Sequence, residues 1–366
     1  MSKGKRHTFT IGIFGQNFKQ NNLIGQALGA PDSSSDIQVY SRYEENLGYT
    51  FMASTPIGYP DKIKPMLQIL RLASIHLLVI DLDLDLDSLI GEILVGIDLK
   101  NQLHRANLIV VISNITSTNE WKLAKIKKQI HTILNTTSLK ESKVIELKTK
   151  QDYDNLKKLI IETGLENPQY INHEPQYAKV LIDSAFPVKG IGTVILGIVE
   201  SGLVKVGQLV EIHGYEDGPK KVIIRSIQKQ DRNFKTAEQG DRIGFALKGN
   251  ISAKDIKRDN IIVTPGIFKS EKKIIANVYI SPFYKPKGGS IKPGDDTQYH
   301  AMVDLKSSAF KFSIEKSFEP GQWNQAVLNF EKFLAHDGSG LKGIITEMNK
   351  FNNKLRIVGM FNQIMK

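Results

Sequence analysis

The chain has 366 residues, 41% of them hydrophobic and 24% charged, which fits a soluble globular protein of two or three domains with ordinary cores. It has no cysteine, which excludes disulfides and thiolate metal sites. The net charge of +11 favours polyanionic partners such as RNA, the ribosome or an anionic membrane, although a generally lysine-rich composition gives the same number. No apolar run follows the basic N-terminus, and the apolar stretches at 75–80 and 108–112 are far too short to cross a bilayer. No signal peptide and no membrane partner are expected, and the expected location is cytoplasmic.

In chain order, residues 8–14 are β-branched and aromatic, as in a strand, and a helix is expected from about Asn21 to Leu28. Short strands at 37–40 and 48–53 precede a helical period at 60–73, with Ile63, Met66, Leu67 and Leu70 on one face. Buried strands at 76–80 and 108–112 alternate with helices at 87–103 and 119–135; the latter sets Trp121, Ile126, Ile130, Ile133 and Leu134 against a lysine-rich face. A strand at 143–147 and a helix at 152–162 complete a pattern that implies a mostly parallel sheet covered by helices.

The texture changes near 164, and residues 168–176 are polar with two prolines. Short alternating segments follow at 178–183, 193–200, 208–213, 220–228, 242–248 and 261–263, separated by glycine-bearing turns, as in a small barrel or sandwich. Pro265–Ser270 reads as a boundary. A second β-rich block has segments at 273–283, 298–304, 309–315, 325–330, 341–347 and 354–361.

The middle block carries the most specific pattern. Asp183, Phe186, Gly190, Gly192, Thr193, Val194, Gly197, Val199, Gly202 and Gly207 follow the spacing D-x-x-F-x-x-x-G-x-G-T-V-x-x-G-x-V-x-x-G-x-x-x-x-G, and Gln239-Gly240-Asp241-Arg242-Ile243-Gly244 follows downstream. Glycines at these places suit turns that need φ > 0 between strands closing a barrel. The block closely resembles domain 2 of the translational GTPases: elongation factor Tu, its archaeal and eukaryotic counterparts, and the selenocysteine-specific factor. The resemblance implies an α/β plus all-β fold: a P-loop-GTPase-like domain at 1–168, a domain 2-like barrel at 176–266 and a domain 3-like barrel at 270–366. The last block matches loosely, through Ala276-Asn-Val-Tyr279, Ile291-Lys-Pro-Gly294, Phe318-Glu-Pro-Gly321 and Leu355-Arg-Ile-Val-Gly359. No fourth domain of the selenocysteine factor is expected.

The resemblance also implies a nucleotide site, and its residues have changed. The phosphate loop needs GxxxxGK[ST], whose amides and lysine hold phosphates and whose hydroxyl binds magnesium. Here Gly15 stays, while Gln20, Asn21 and Asn22 stand for the second glycine, the lysine and the hydroxyl residue. Ser54 replaces the aspartate of D-T-P-G, and Tyr59 falls where the catalytic histidine belongs. In the guanine-reading N-K-x-D motif Asn114 is kept, but Ile115 and Ser117 replace lysine and aspartate, and a serine cannot accept two hydrogen bonds as a carboxylate does. The final Ser-Ala motif is missing around Glu146-Leu147. GTP and magnesium are therefore not expected as cofactors, and no catalytic residue is expected.

Other features carry less. Asp81, Asp83, Asp85 and Asp87 would line one side of an extended segment and suit a hard cation, but a solvated loop after the strand is the better expectation. No metal site is expected; His76 and His131 are expected to be structural. Two basic stretches are RNA-binding candidates: Lys220, Lys221, Arg225, Lys229, Arg232 and Lys235 with Phe234 among them, and Lys254, Lys257 and Arg258 with Lys269, Lys272 and Lys273. The expectation is a catalytically inactive translation-factor paralogue that binds tRNA or the ribosome through its barrels, its N-terminal domain serving as a scaffold or a protein-partner surface. The alternatives are a divergent but active GTP-binding elongation factor of the selenocysteine-specific or elongation factor Tu type, and a structural subunit with no RNA role.

Overall fold

The computed structural model describes residues 7–166, 177–349 and 351–365, so the proline-bearing stretch at 168–176 lies outside the described residues. Two compact units result. The first contains the N-terminal block together with Met348–Ile357; the second contains the two β-rich blocks.

The first unit is built on a seven-stranded sheet ordered β2-β3-β4-β1-β5-β6-β7. Its strands are β1 (His7–Gly15), β2 (Ala30–Ser34), β3 (Ile37–Glu44), β4 (Tyr49–Pro56), β5 (Ile75–Asp81), β6 (Asn107–Ser113) and β7 (Lys143–Glu146). From β4 through β7 the neighbours are parallel, and β3 and β2 add an antiparallel edge. Every residue of β5 is buried, as expected of a strand covered on both faces. Phe9, Ile11 and Ile13 of β1 join one core with residues of α1 (Phe18–Leu28) and α5 (Lys150–Leu165). Helices α2 (Ile63–Leu72) and α3 (Ser88–His104) pack on β1 from the other face, and α4 (Leu123–Leu134) follows a single 3-10 turn at Glu120–Lys122.

Two expectations need correcting here. Strand β2 was not foreseen, because Ala-Pro-Asp-Ser-Ser has the composition of a turn; an edge strand tolerates that proline because one side of its ladder is unpaired. Helix α1 starts at Phe18, three residues before the expected Asn21, because the Asn17 side chain caps it by accepting from Lys19 N at 3.0 Å.

The second unit holds two six-stranded antiparallel barrels. The first closes in the order β11-β16-β8-β9-β15-β12, through the β11–β12 pairing. Its strands are β8 (Lys179–Val188), β9 (Gly192–Ser201), β11 (Leu209–His213), β12 (Lys220–Lys229), β15 (Arg242–Lys248) and β16 (Ile261–Val263). Three-residue strands β10 (Leu203–Lys205), β13 (Arg232–Phe234) and β14 (Thr236–Glu238) are appended; they are too short to show an alternation in sequence. Val180, Ile182, Ile195, Val199, Val222, Ile224, Ile227 and Phe245 fill the barrel. Inward parity on β12 switches between Ile224 and Ile227, where a bulge shifts the register against β15. Gly202 turns β9 into β10 at φ +73, with the Tyr177 carbonyl packed where a Cβ would sit. The second barrel is closed by β17 (Lys269–Ile280), β20 (Trp323–His336), β19 (Lys306–Ser313), β18 (Tyr299–Val303), β21 (Lys342–Thr346) and β22 (Ile357–Gln363).

Candidate functional site

In open sheets of this kind ligands bind beyond the carboxyl ends of the parallel strands. Three of those ends, those of β1, β5 and β6, are tied to one another by an amide–carboxylate network. Only Gln16 and Asn17 separate β1 from α1. Asn17 caps α1 with its Oδ1 and donates from Nδ2 to Asp81 Oδ2 at 2.6 Å. Asp81, buried at the end of β5, also accepts from Asn114 Nδ2 at 2.8 Å and from Asp83 N at 3.0 Å. Asn114 follows β6 in the left-handed region at φ +59, where asparagine is among the few tolerated side chains. It also donates to Asp83 Oδ2 at 2.9 Å. Asn119 continues the network, donating to Asp83 Oδ1 at 2.6 Å and Asn114 O at 2.8 Å while accepting from Thr116 N at 2.8 Å.

This geometry places the nucleotide-motif positions away from a phosphate cradle. Gln20, Asn21 and Asn22 lie inside α1, and Asn21 N donates to Asn17 O at 3.1 Å as an ordinary helical bond. Asn21 is buried; its Nδ2 reaches Gly15 O at 3.4 Å, and its Oδ1 has no hydrogen-bond partner among the described residues. Asn22 accepts from Tyr40 OH at 2.5 Å. A Cβ on Gly15 would lie 2.5 Å from Val79 O and 2.8 Å from Asn21 Oδ1, so close packing of β1 on β5 and α1 requires that glycine without any ligand. The connection from Gly15 to Phe18 is two residues long, where the motif has four residues between its glycines.

Ser54 is buried in the middle of the sheet, paired with Gly12 on one side and Val39 on the other. Ser117 is exposed on the turn after β6 and makes no side-chain bond to the Asn114 network among the described residues. Glu146 is held below the usual carboxylate range by Lys127, against the opposing effect of burial; Lys148 also binds it at 3.2 Å. The aspartate run does not stay extended. Asp81 and Asp83 serve the network, and Asp87 caps α3 by accepting from Leu89 N and Ile90 N at 2.9 and 3.2 Å. No group of three or more acidic or histidine ligands is assembled among the described residues.

The residues missed in the sequence are Glu92 and Arg356, at 0% and 2% side-chain exposure. Arg356 donates from its backbone N and Nε to Glu92 Oε2 at 2.8 and 3.1 Å, and from Nη2 to Oε1 at 2.6 Å. Its Nη1 donates to Pro60 O at 2.7 Å. Tyr59, at the position of the family's histidine, donates its hydroxyl to Glu92 Oε1 at 3.0 Å. Burial, reinforced by the Glu92 charge, pushes the Tyr59 phenol well above its ordinary value. The available signal was a single carboxylate inside the apolar run Leu89-Ile-Gly-Glu-Ile-Leu-Val95.

The barrel cations divide into two groups. Lys229 pairs with buried Asp241 at 2.5 Å and lies 4.8 Å from the Phe234 ring centroid; desolvation nevertheless pushes the Asp241 carboxyl above its ordinary value. Arg258 donates from Nε to Asp183 O at 3.1 Å, and Lys220 pairs with Asp217. Lys221, Arg225, Arg232, Lys235, Lys254 and Lys257 are exposed, although Arg225 also donates to Ile191 O at 3.0 Å.

Comparison with known proteins agrees with the geometry of the barrels. Residues 192–258 match the family described as Elongation factor Tu domain 2. An uncharacterised protein of Methanocaldococcus jannaschii is 28% identical over 328 residues, 90% of this chain and 92% of that protein. The selenocysteine-specific elongation factor of the same organism is 31% identical over 234 residues, 62% of this chain but only 48% of that factor, so the match spans about half its length. The crystal structure of elongation factor SelB from Methanococcus maripaludis with the GTP analogue GPPNHP superposes with a TM-score of 0.80 at 26% identity, covering 99% of this chain and 80% of that one. A bacterial selenocysteine-specific factor shares the fold at a TM-score of 0.78 and 19% identity, over 98% of this chain and 58% of that one.

Proposed function

We propose that this chain, whose fold and barrel motifs are those of the translational GTPases, acts as a pseudo-GTPase: a translation-factor-like protein that binds tRNA or the ribosome through its barrels without GTP. The observation that carries this reading is the two-residue connection from Gly15 to Phe18, sealed by Asn17, Asp81 and Asn114. No loop remains to take β and γ phosphates, and the buried Asp81 carboxylate is occupied by Asn17 and Asn114 side chains. The residues present do not fit GTP with magnesium, so no hydrolytic step is derived. Without a γ-phosphate to order switch loops, the N-terminal unit serves as a fixed platform.

RNA binding is supported by the net charge of +11, by the elongation-factor relatives and by the exposed cations Lys221, Arg225, Arg232, Lys235, Lys254 and Lys257. Contacts of this kind go to phosphates, are indifferent to sequence and weaken with salt. The test has two arms. Titration of a fluorescent GTP analogue with magnesium should give no saturable signal; micromolar binding displaced by GTP favours the divergent active factor instead. Binding to tRNA and ribosomes should fall steeply between low and physiological salt, and Lys221→Glu with Lys254→Glu should lower it about tenfold. Absence of any salt-dependent binding favours a structural subunit.

A further inference from the structure

Helix α4 buries Ile126, Ile130 and Leu134 against the first unit. Lys125, Lys128 and Thr132 follow one another at spacings of three and four on the opposite face, and Trp121 precedes them in the 3-10 turn at Glu120–Lys122. Trp121 is 74% exposed, the most exposed large hydrophobic side chain among the described residues. Its ring is not loose: the indole N–H donates to Thr118 O at 3.0 Å, and the Lys122 ammonium lies 5.8 Å from the ring centroid.

The surrounding charge is one-sided. Residues 119–150 contain eight lysines and three glutamates. Two of those glutamates are already neutralised: Lys148 binds Glu120 at 2.7 Å and Glu146 at 3.2 Å, and Lys127 also pairs with Glu146. Lys125 and Lys128 are exposed and have no acidic partner among the described residues. A pinned, solvent-facing indole beside unpaired ammonium groups is the combination that holds single-stranded nucleic acid: a base stacks on the ring while the backbone follows the cations. Duplex RNA keeps its base faces stacked away. An acidic peptide would meet the lysines but leave the indole without a stacking partner.

We propose that Trp121 of the 3-10 turn together with Lys125 and Lys128 of α4 forms a binding surface for single-stranded RNA, with one unpaired base stacked on Trp121. The proposal adds a contact on the N-terminal unit to the one proposed for the barrels and does not depend on it.

The chain has two tryptophans, so Trp323→Phe leaves Trp121 as the sole indole reporter in the full-length protein. Titration with an oligoadenylate of about ten nucleotides, within the length one such platform tracks, should quench its fluorescence saturably and less strongly as salt rises. Anisotropy of the labelled oligonucleotide should show affinity about tenfold weaker for Trp121→Ala and weaker again for Lys125→Glu with Lys128→Glu. All three residues are on the surface, so these variants should fold. No quenching, or equal quenching by RNA duplex or by polyglutamate, overturns the proposal. Undiminished tRNA binding by Trp121→Ala, without quenching in the reporter protein, overturns it while leaving the barrel reading intact.

Discussion

Gly15 and Gly202 are both glycines demanded by motifs of the family, and this chain keeps both, for different reasons. At Gly202 the original reason survives: φ is +73 and the Tyr177 carbonyl fills the space a side chain would need, so the turn into β10 still depends on it. At Gly15 the connection to α1 is only two residues long, and the glycine is required because Val79 O and Asn21 Oδ1 occupy the space a Cβ would take. The barrel has kept its frame. The N-terminal unit has instead turned polar side chains inward, at Asn17–Asp81–Asn114 and at Tyr59–Glu92–Arg356. A retained motif residue is therefore weak evidence for a retained ligand until its neighbours are known.

If the N-terminal unit now depends on such internal polar contacts, breaking the deepest of them should have the largest effect. Glu92→Ala leaves the Arg356 guanidinium buried without its carboxylate, and the expected loss is about 3–5 kcal/mol in chemical denaturation. Replacing both partners, Glu92→Leu with Arg356→Met, should recover most of it. Full loss in the double variant would show that packing around the site, and not the isolated charge, sets the cost.

The barrel side is sharpened by two glycines that share a conformation and differ in space. Gly202→Ala combines φ > 0 with a clash on backbone, and about 3 kcal/mol is expected. Gly190→Ala has φ +78 and nothing within 4 Å, so only the conformational part remains, about 1 kcal/mol. Equal costs at the two sites would mean that the barrel relaxes around Gly202 and that its frame is not rigid.

A third effect belongs to the parallel sheet. His76 is fully buried, stacked on Phe14 at 6.0 Å and bonded to Leu70 O at 3.1 Å; burial, with help from the Lys100 charge, lowers its pKa from 6.5 to about 3. The folded state keeps it neutral while the unfolded chain takes up a proton below pH 6.5. Its contribution is therefore whole above pH 6.5 and shrinks as pH falls toward 3, by about 2 kcal/mol at pH 5. Unfolding free energies measured from pH 7 to 5 should fall less steeply for His76→Gln. An unchanged slope would assign the acid sensitivity to other groups.

Much of this was legible in the sequence, and the limits have physical causes. The order of strands and helices followed from periodicity, and the glycine spacing identified the first barrel. The lost nucleotide motifs were visible as substitutions at Gln20, Asn21, Ser54 and Ser117. Aligned residue by residue, however, they suggested an altered loop where the chain has no such loop, because a cap at Asn17 rewrites where α1 begins and spacing alone does not reveal a cap. Glu92 and Arg356 are 264 positions apart, and nothing local announces that one will neutralise the other.

The smallest expected effect bears most directly on what closes the β1–α1 connection against β5 and β6. Asn17 has two roles, capping α1 through Oδ1 and donating to Asp81 through Nδ2. Asn17→Ala removes both, and about 1–2 kcal/mol is expected. Asn17→Ser retains a cap acceptor but cannot reach Asp81 as the amide does, so the difference between the two variants isolates the cap, at about 1 kcal/mol. If closure is driven by starting the helix early, serine should restore most of the stability lost in alanine. If it is driven by satisfying the buried Asp81 carboxylate, serine and alanine should cost nearly the same, and Asp81→Asn should soften the loss. Either result assigns the closure to one bond, and a negligible cost for all three variants would overturn the view that this network holds the strand ends together.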